Sequence, residues 1–259
     1  MKNWGGYISE TFEKIILVII ILAFWELAPR AGWVSQDILP SFSVVLVKFW
    51  QMLLSGEMFK NLFISLERAF GGFALSVVIG ITLGFLLGWS EKVEKIIDPL
   101  MQLARNTAAL ALYPLFILLF GLGEVSKVAI IFWGAIWPIL INTIEGVRGV
   151  DPLFVKTAYS MGASKRILFS RVILPATFPT IFTGIRLSAS RSVIILVAAE
   201  MMGSSSGLGH LVFFSEANLQ IAKMYCGILM LIILGVTINY VLVTLEKHVT
   251  RWKEEIVEM

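Results

Sequence analysis

The chain has 259 residues, of which 58% are hydrophobic and only 15% charged, and its formal net charge is +3. A soluble domain carries about 45–50% apolar and about 25% charged residues, so this composition excludes an ordinary water-soluble enzyme and points to lipid as the solvent. The small net charge leaves no nucleic-acid footprint, and a lone cysteine, Cys226, inside an apolar run excludes an internal disulfide.

A spanning helix needs about 20 mostly apolar residues. Six stretches approach or meet that: 15–28, 69–89, 100–120, 128–144, 185–202 and 224–245. The first is short and ends at Pro29 and Arg30. Lys2 and Lys14 precede it as in a signal peptide, but no small-x-small cleavage site follows, so it reads as an uncleaved span. The third contains Arg105 and Pro114, and the fifth is interrupted by Arg191. The expected fold is all-α, a polytopic membrane bundle of about six transmembrane helices.

Between the first two spans, residues 41–56 place Val44, Val47, Phe49, Trp50 and Leu54 among few charges. This segment reads either as a short amphipathic helix in the membrane interface or as a packed external loop. Span two carries small residues at every fourth position, Gly72, Ser76, Gly80, Gly84 and Gly88. Such a stripe lets another helix backbone approach closely, and its role is packing.

Cytoplasmic loops carry an excess of Lys and Arg. With the N-terminus inside, the inner segments hold thirteen cations: Lys2, Lys14, Lys92, Lys95, Arg105, Arg148, Lys156, Lys165, Arg166, Arg171, Lys247, Arg251 and Lys253. The outer segments hold five, Arg30, Lys48, Lys60, Lys127 and Lys223, with Arg68, Arg186 and Arg191 near span edges unassigned. Both termini are therefore expected in the cytoplasm.

The longest inner segment runs over 148–180. Asp151 is a good N-cap and Pro152 suits a first helical position. Gly162 stands where a helix C-cap glycine belongs, and Ser164 can cap a second short helix over 165–172 that Leu174-Pro175 ends. The expectation is helix, glycine turn, helix, outside the membrane on the cytoplasmic side.

These residues carry a resemblance. Lys156-Thr157-Ala158, then Gly162, then Val172-x-Leu174-Pro175 resembles the cytoplasmic motif of ABC-importer permeases, Glu-Ala-Ala, three residues, Gly, nine residues, Ile-x-Leu-Pro. Gly162-Ala163-Ser164, Leu174-Pro175-Ala176, Gly184-Ile185-Arg186-Leu187, Ala198-Ala199-Glu200 and Gly207-Leu208-Gly209 are similar to the taurine, aliphatic sulfonate, nitrate and bicarbonate branch. The resemblance covers roughly residues 60–250. It implies that Lys156, Thr157, Ala158, Gly162, Ala163, Ser164, Val172, Leu174 and Pro175 couple the chain to an ATPase. Lys156 stands where the family has Glu, and Thr157 where it has Ala; a lysine there favours an acidic partner surface.

The same resemblance implies a permease subunit for a small solute, an anion such as a sulfonate, taurine, nitrate or bicarbonate, moved by alternating access. Its partners would be two ATPase subunits, an extracytoplasmic solute-binding protein and a second copy of itself. The membrane would be a bacterial or archaeal cytoplasmic (inner) membrane. Residues 1–62 would form an N-terminal span and outer segment, 63–245 the transport domain, and 246–259 a cytoplasmic tail. No cofactor, metal or nucleic acid is expected.

Polar residues inside a membrane are costly and face the bundle interior or a water path. Arg105, Asn142, Ser188, Arg191 and Glu200 are the candidates for a translocation path. Arg105 and Arg186 alternatively snorkel to the interface, and Glu200 alternatively caps or pairs locally. Two motifs are false. The stretch 121–127 is rich in glycine but has Ser126, not glycine, directly before Lys127, so it is no phosphate loop and a separate subunit must supply any ATP hydrolysis. Residues 203–207 fit G-x-S-x-G but follow a span, and His210 and His248 fall on opposite membrane sides, so this reads as a flexible outer loop. The rival reading is a self-sufficient secondary transporter, which requires inverted repeats and a coupling-ion site that this sequence does not display.

Overall fold

A computed structural model describes the backbone of residues 4–249 and the side chains of residues 16–248. Lys2, Lys14, Arg251 and Lys253 of the charge count, and most of the expected tail, lie outside the described side chains. The described residues form helices and no strand. In chain order the helices are α1 (Trp4–Arg30), α2 (Phe42–Leu54), α3 (Glu57–Trp89), α4 (Glu91–Asn106), α5 (Tyr113–Phe120), α6 (Glu124–Arg148), α7 (Pro152–Ser160), α8 (Lys165–Leu168), α9 (Leu174–Gly203), α10 (Leu208–Ala217) and α11 (Ile221–Val249).

Among the described residues, four helices are long and apolar enough to cross a membrane: Glu57–Trp89, Glu124–Arg148, the continuous run Lys165–Gly203, and Ile221–His248. They correspond to the second, fourth, fifth and sixth expected spans. The third is broken in the middle. It divides into Glu91–Asn106 and Ala109–Phe120, bent by 86°. Thr107 and Ala108 at the break are extended, and Pro114 stands in the first turn of α5. Proline has no N–H to return to the fourth residue before it, and its ring crowds that carbonyl, so a helix starts there more readily than it passes through.

Two boundaries also move. α3 begins at Glu57, twelve residues before the expected start at 69, and Glu57 and Arg68 have distant partners that the sequence does not announce. The second helix of the expected helical turn is not ended by Leu174-Pro175. Residues Phe169–Ile173 widen to a π-turn and lead straight into α9, where Pro175 occupies the first turn and its missing N–H costs little.

Lipid offers no hydrophobic drive between helices, so close packing must hold the bundle. The small-residue stripe of α3 supplies it. A Cβ added at Gly72 would lie 2.6 Å from Ile131 Cγ2 and 2.9 Å from the Val128 carbonyl, and Gly80, Gly84 and Gly88 meet Ile139, Thr143 and Val147 in the same way. The constant offset makes α3 and α6 parallel, so the chain must return between them, which the bent α4–α5 segment does. α9 runs antiparallel to α6: Gly146 faces Thr177, Gly184 faces Asn142, and the Ser188 hydroxyl donates to the Ala135 carbonyl. α11 runs antiparallel to α9, with Arg186 paired to Glu246 at 3.1 Å near their adjoining ends.

The segment 41–56 is the helix α2, and it is packed as well as amphipathic. Val45 and Met52 are buried with Met58, Leu211, Cys226 and Met230, while Val47 and Trp50 stay exposed. The Cys226 thiol donates to the Val45 carbonyl at 3.4 Å, which makes it core packing. Trp25 and Glu26 of α1 reach Pro40 and Ser43. Bands of exposed apolar side chains, such as Phe70, Val78, Leu86, Ile232 and Val236, form the surface that lipid covers.

Candidate functional sites at the two ends of the bundle

One end of the bundle collects the ends of α3 and α6, the start of α9 and the loop between them. Asp151 Oδ1 accepts the Leu153 N–H at 2.8 Å, so the expected N-cap of α7 is formed. At the other end of α7, Gly162 has φ +76°, a value that suits glycine. Its N–H donates to the Tyr159 carbonyl at 2.9 Å and the Ala163 N–H to the Ala158 carbonyl at 3.0 Å. This pair of bonds is a Schellman cap. Ser164 Oγ then accepts the Ile167 N–H at 3.4 Å and starts α8.

The unit is seated firmly. Val147, Val150, Leu168 and Ile173 are buried together, with Val155, Ala158, Val172 and Phe85 packed against them. Phe169 meets the ring of Phe85 edge-on at 5.1 Å, which joins the unit to α3. Arg148 pairs with Glu94 of α4. The outer side is apolar and uncovered: Leu153, Phe154, Tyr159, Met161 and Ile167 are exposed. Lys156, Thr157, Gly162, Ser164 and Pro175 lie on the exposed side, and Ala158, Ala163, Val172 and Leu174 are half-buried beneath them.

The opposite end holds a buried network of charges. Arg68 of α3 donates through Nε and Nη2 to both oxygens of Glu124 at the start of α6, at 2.5 and 2.7 Å. Its Nη1 donates to Glu200 Oε1 at 2.8 Å and to the Ser206 carbonyl at 2.7 Å. Lys127 donates to Glu124 Oε1 at 3.1 Å. Glu200 is fully buried and also accepts from the Ser65 hydroxyl and from the Gly209 N–H, each at 2.9 Å. The Leu208 N–H donates to Ser65 Oγ at 2.8 Å and the Gly207 N–H to Asn61 Oδ1 at 2.9 Å. Side chains of α3 and α9 thereby satisfy the first N–H groups of α10, which have no partners within their own helix. Two cations balance two carboxylates, and three helices and the loop before α10 meet on one arginine.

The path candidates are not brought together. Glu200 belongs to this network. The Asn142 amide donates to the Pro138 carbonyl of its own helix at 2.8 Å, and Ser188 is spent on Ala135. Arg105 and Arg191 are exposed, Arg105 at the end of α4 and Arg191 midway along α9. Residues 203–207 are held rather than loose: the Ser204 hydroxyl donates to the Ser206 carbonyl at 2.6 Å, and Arg68 holds that same carbonyl. Arg68, unassigned in the charge count, is the centre of this network. Its signal was an arginine and a glutamate within apolar helices, which need each other.

Among the described residues, several long apolar helices packed side by side define a multi-pass membrane protein. The chain belongs to the family of binding-protein-dependent transport system inner membrane components, whose model matches residues 76–254. It is 38% identical over 241 residues to the aliphatic sulfonates transport permease protein SsuC of Bacillus subtilis strain 168, covering 93% of this chain and 87% of that one. It is 30% identical to the taurine transport system permease protein TauC of Escherichia coli K12, covering 98% and 94%. Its fold matches a chain of the MetNI methionine ABC transporter in an inward-facing conformation, with a TM-score of 0.66 at 17% identity over 76% of this chain and 98% of that one. The chain is thus the membrane subunit of an ABC importer; ATP hydrolysis belongs to a separate subunit, and an ATPase and a binding protein are its partners.

Proposed function

We propose that this permease imports a small organic sulfonate by alternating access, as two copies resting on two ATPase subunits. The substrate class rests on the relatives that align along nearly the whole chain and are named for aliphatic sulfonates and taurine. Both kinds of solute present an ionised sulfonate group at neutral pH, which taurine pairs with an ammonium. The excess of Lys and Arg in the segments that hold 148–180 supports a cytoplasmic placement for the helix–turn–helix and for both termini. The ionic end then faces outward, where a binding protein delivers its solute.

The observation that carries the coupling role is the uncovered apolar side of α7 and α8, Leu153, Phe154, Tyr159, Met161 and Ile167, on a unit whose other side is packed into the bundle. An ATPase subunit would cover it, with Lys156 set against an acidic patch. Motion of that subunit would pass through Phe169 and Phe85 into α3, and through the unbroken run Lys165–Gly203 into α9.

Gly162→Val tests this. A β-branched residue at φ +76° costs about 1–2 kcal/mol and redirects the turn, although no neighbouring atom stands in its way. Uptake of ethanesulfonate by proteoliposomes holding the whole complex should fall by at least about tenfold, a barrier change of about 1.4 kcal/mol, while the amount of permease in the membrane stays level. Wild-type uptake would refute the coupling role.

Arg191 stands exposed on the single chain midway along α9, beside exposed Leu187 and Ile194. A guanidinium facing lipid at that depth is expensive, so we assign this face to the water path or to the second copy. Arg191→Ala should lower uptake without lowering membrane abundance. An equal loss of both would mark Arg191 as a folding residue.

A further inference from the structure

We propose that Arg68 and Lys127 form an anion site which the carboxylate of Glu124 fills when no substrate is bound, and which a sulfonate group takes over by displacing it. The inference rests on the sulfonate reading above and names the first contact of that substrate with the permease.

The two carboxylates on Arg68 differ sharply in how they are held. Glu200 is sealed, with a side chain 0% exposed, and its oxygens also serve Ser65 and the start of α10. Glu124 is 61% exposed, although the two cations it neutralises are each only 5% exposed. A buried arginine and a buried lysine thus present their charge to a surface carboxylate. Glu124 follows Gly121 and Gly123, around which an added Cβ would meet nothing within 4 Å, so its neighbourhood is open.

The arrangement of donors also admits a different occupant. Three donors converge here: Arg68 Nε, Arg68 Nη2 and Lys127 Nζ. The carboxylate has two oxygens, so Oε1 must serve both Arg68 Nη2 and Lys127. A sulfonate has three oxygens and gives each donor its own. The arginine fork accepts two of them side by side, as it accepts a carboxylate. The exchange also conserves charge, because one monoanion replaces another and Glu200 remains as the fixed counter-ion.

A cavity of about 630 Å³ opens beside this group. Glu124 and Lys127 are among its lining residues, together with His210, Met202, Phe213 and Phe214. Its size falls within the usual range for small-molecule sites. A cationic end and an apolar wall suit a short alkyl chain that ends in a sulfonate. Glu124, once displaced, remains solvated at the rim.

Binding of ethanesulfonate to the permease–ATPase complex in nanodiscs, without the binding protein, tests the proposal. Glu124→Gln removes the resident charge and should tighten the Kd by about tenfold, since the site no longer has to be vacated. Lys127→Met should weaken it by about tenfold or more, through loss of a charged hydrogen bond, and Lys127→Arg should largely restore it. Propionate should bind more weakly than ethanesulfonate in the wild type. Uptake by the wild-type complex with its binding protein separates the two levels of the argument. Ethanesulfonate uptake together with unchanged Kd in Glu124→Gln and Lys127→Met would overturn this site and leave the sulfonate reading standing. No sulfonate uptake by the wild type would overturn the sulfonate reading and the site with it.

Discussion

Arg68→Leu should destabilise the permease by about 3–5 kcal/mol, because it strands a carboxylate in a place with no water. Glu200 is fully buried, and Arg68 is its counter-ion at 2.8 Å. The substitution also removes one donor from the Ser206 carbonyl and two from Glu124, which keep Ser204 and Lys127 as partners. Thermal unfolding of the purified complex, followed by size-exclusion fluorescence, is the measurement. The double variant Arg68→Leu with Glu200→Gln should recover part of the loss, since no unpaired charge then remains buried, whereas two independent contacts would simply add. A loss below about 1 kcal/mol in Arg68→Leu would mean that the pair is no stronger than a surface ion pair.

Gly72→Ala should be nearly as damaging, and Gly235→Ala harmless, although both replace a glycine within a membrane helix. Alanine is the better helix former by about 1 kcal/mol, so propensity alone favours both changes. Packing decides otherwise at Gly72. The new methyl group would lie 2.6 Å from Ile131 Cγ2 and 2.9 Å from the Val128 carbonyl. Ile131 is fully buried and the carbonyl belongs to the α6 backbone, so neither yields without moving a helix. Overpacking of this kind costs about 1–3 kcal/mol. At Gly235 nothing stands within 4 Å. The yield and melting temperature of the two variants should therefore diverge, and equal behaviour would show that α3 and α6 are not held by the stripe.

Local chemistry was legible in the sequence. The stripe of Gly72, Ser76, Gly80, Gly84 and Gly88 packs as its spacing implies, and the Asp151 cap, the Gly162 turn and the Ser164 cap all form. Each depends on residues a few positions apart. What escaped the sequence depends on partners far along the chain. α3 starts earlier than its apolar run, with Glu57 paired to Lys223 and Arg68 to Glu200; the apolar pattern alone starts the span only at 69. Glu200 could be seen as a costly intramembrane acid, but not its place in a network with Ser65, Arg68 and Gly209.

The other departures concern proline. Pro114 and Pro175 each stand at the start of a helix, but the first marks a sharp bend and the second a smooth entry. The difference lies before them. Thr107 and Ala108 are extended ahead of α5, whereas a π-turn carries helical structure into α9. Residue type alone does not separate these outcomes, because both prolines satisfy the same first-turn rule.

Co-purification tests the central claim most directly, that a separate ATPase drives this permease through the helix–turn–helix. The tagged chain is extracted from its native host in mild detergent, and the proteins that accompany it are identified. The account predicts a phosphate-loop ATPase in the purified complex, and its loss when Gly162 is changed to valine. A pure permease with no ATPase, still moving ethanesulfonate into liposomes under an ion gradient alone, would contradict it.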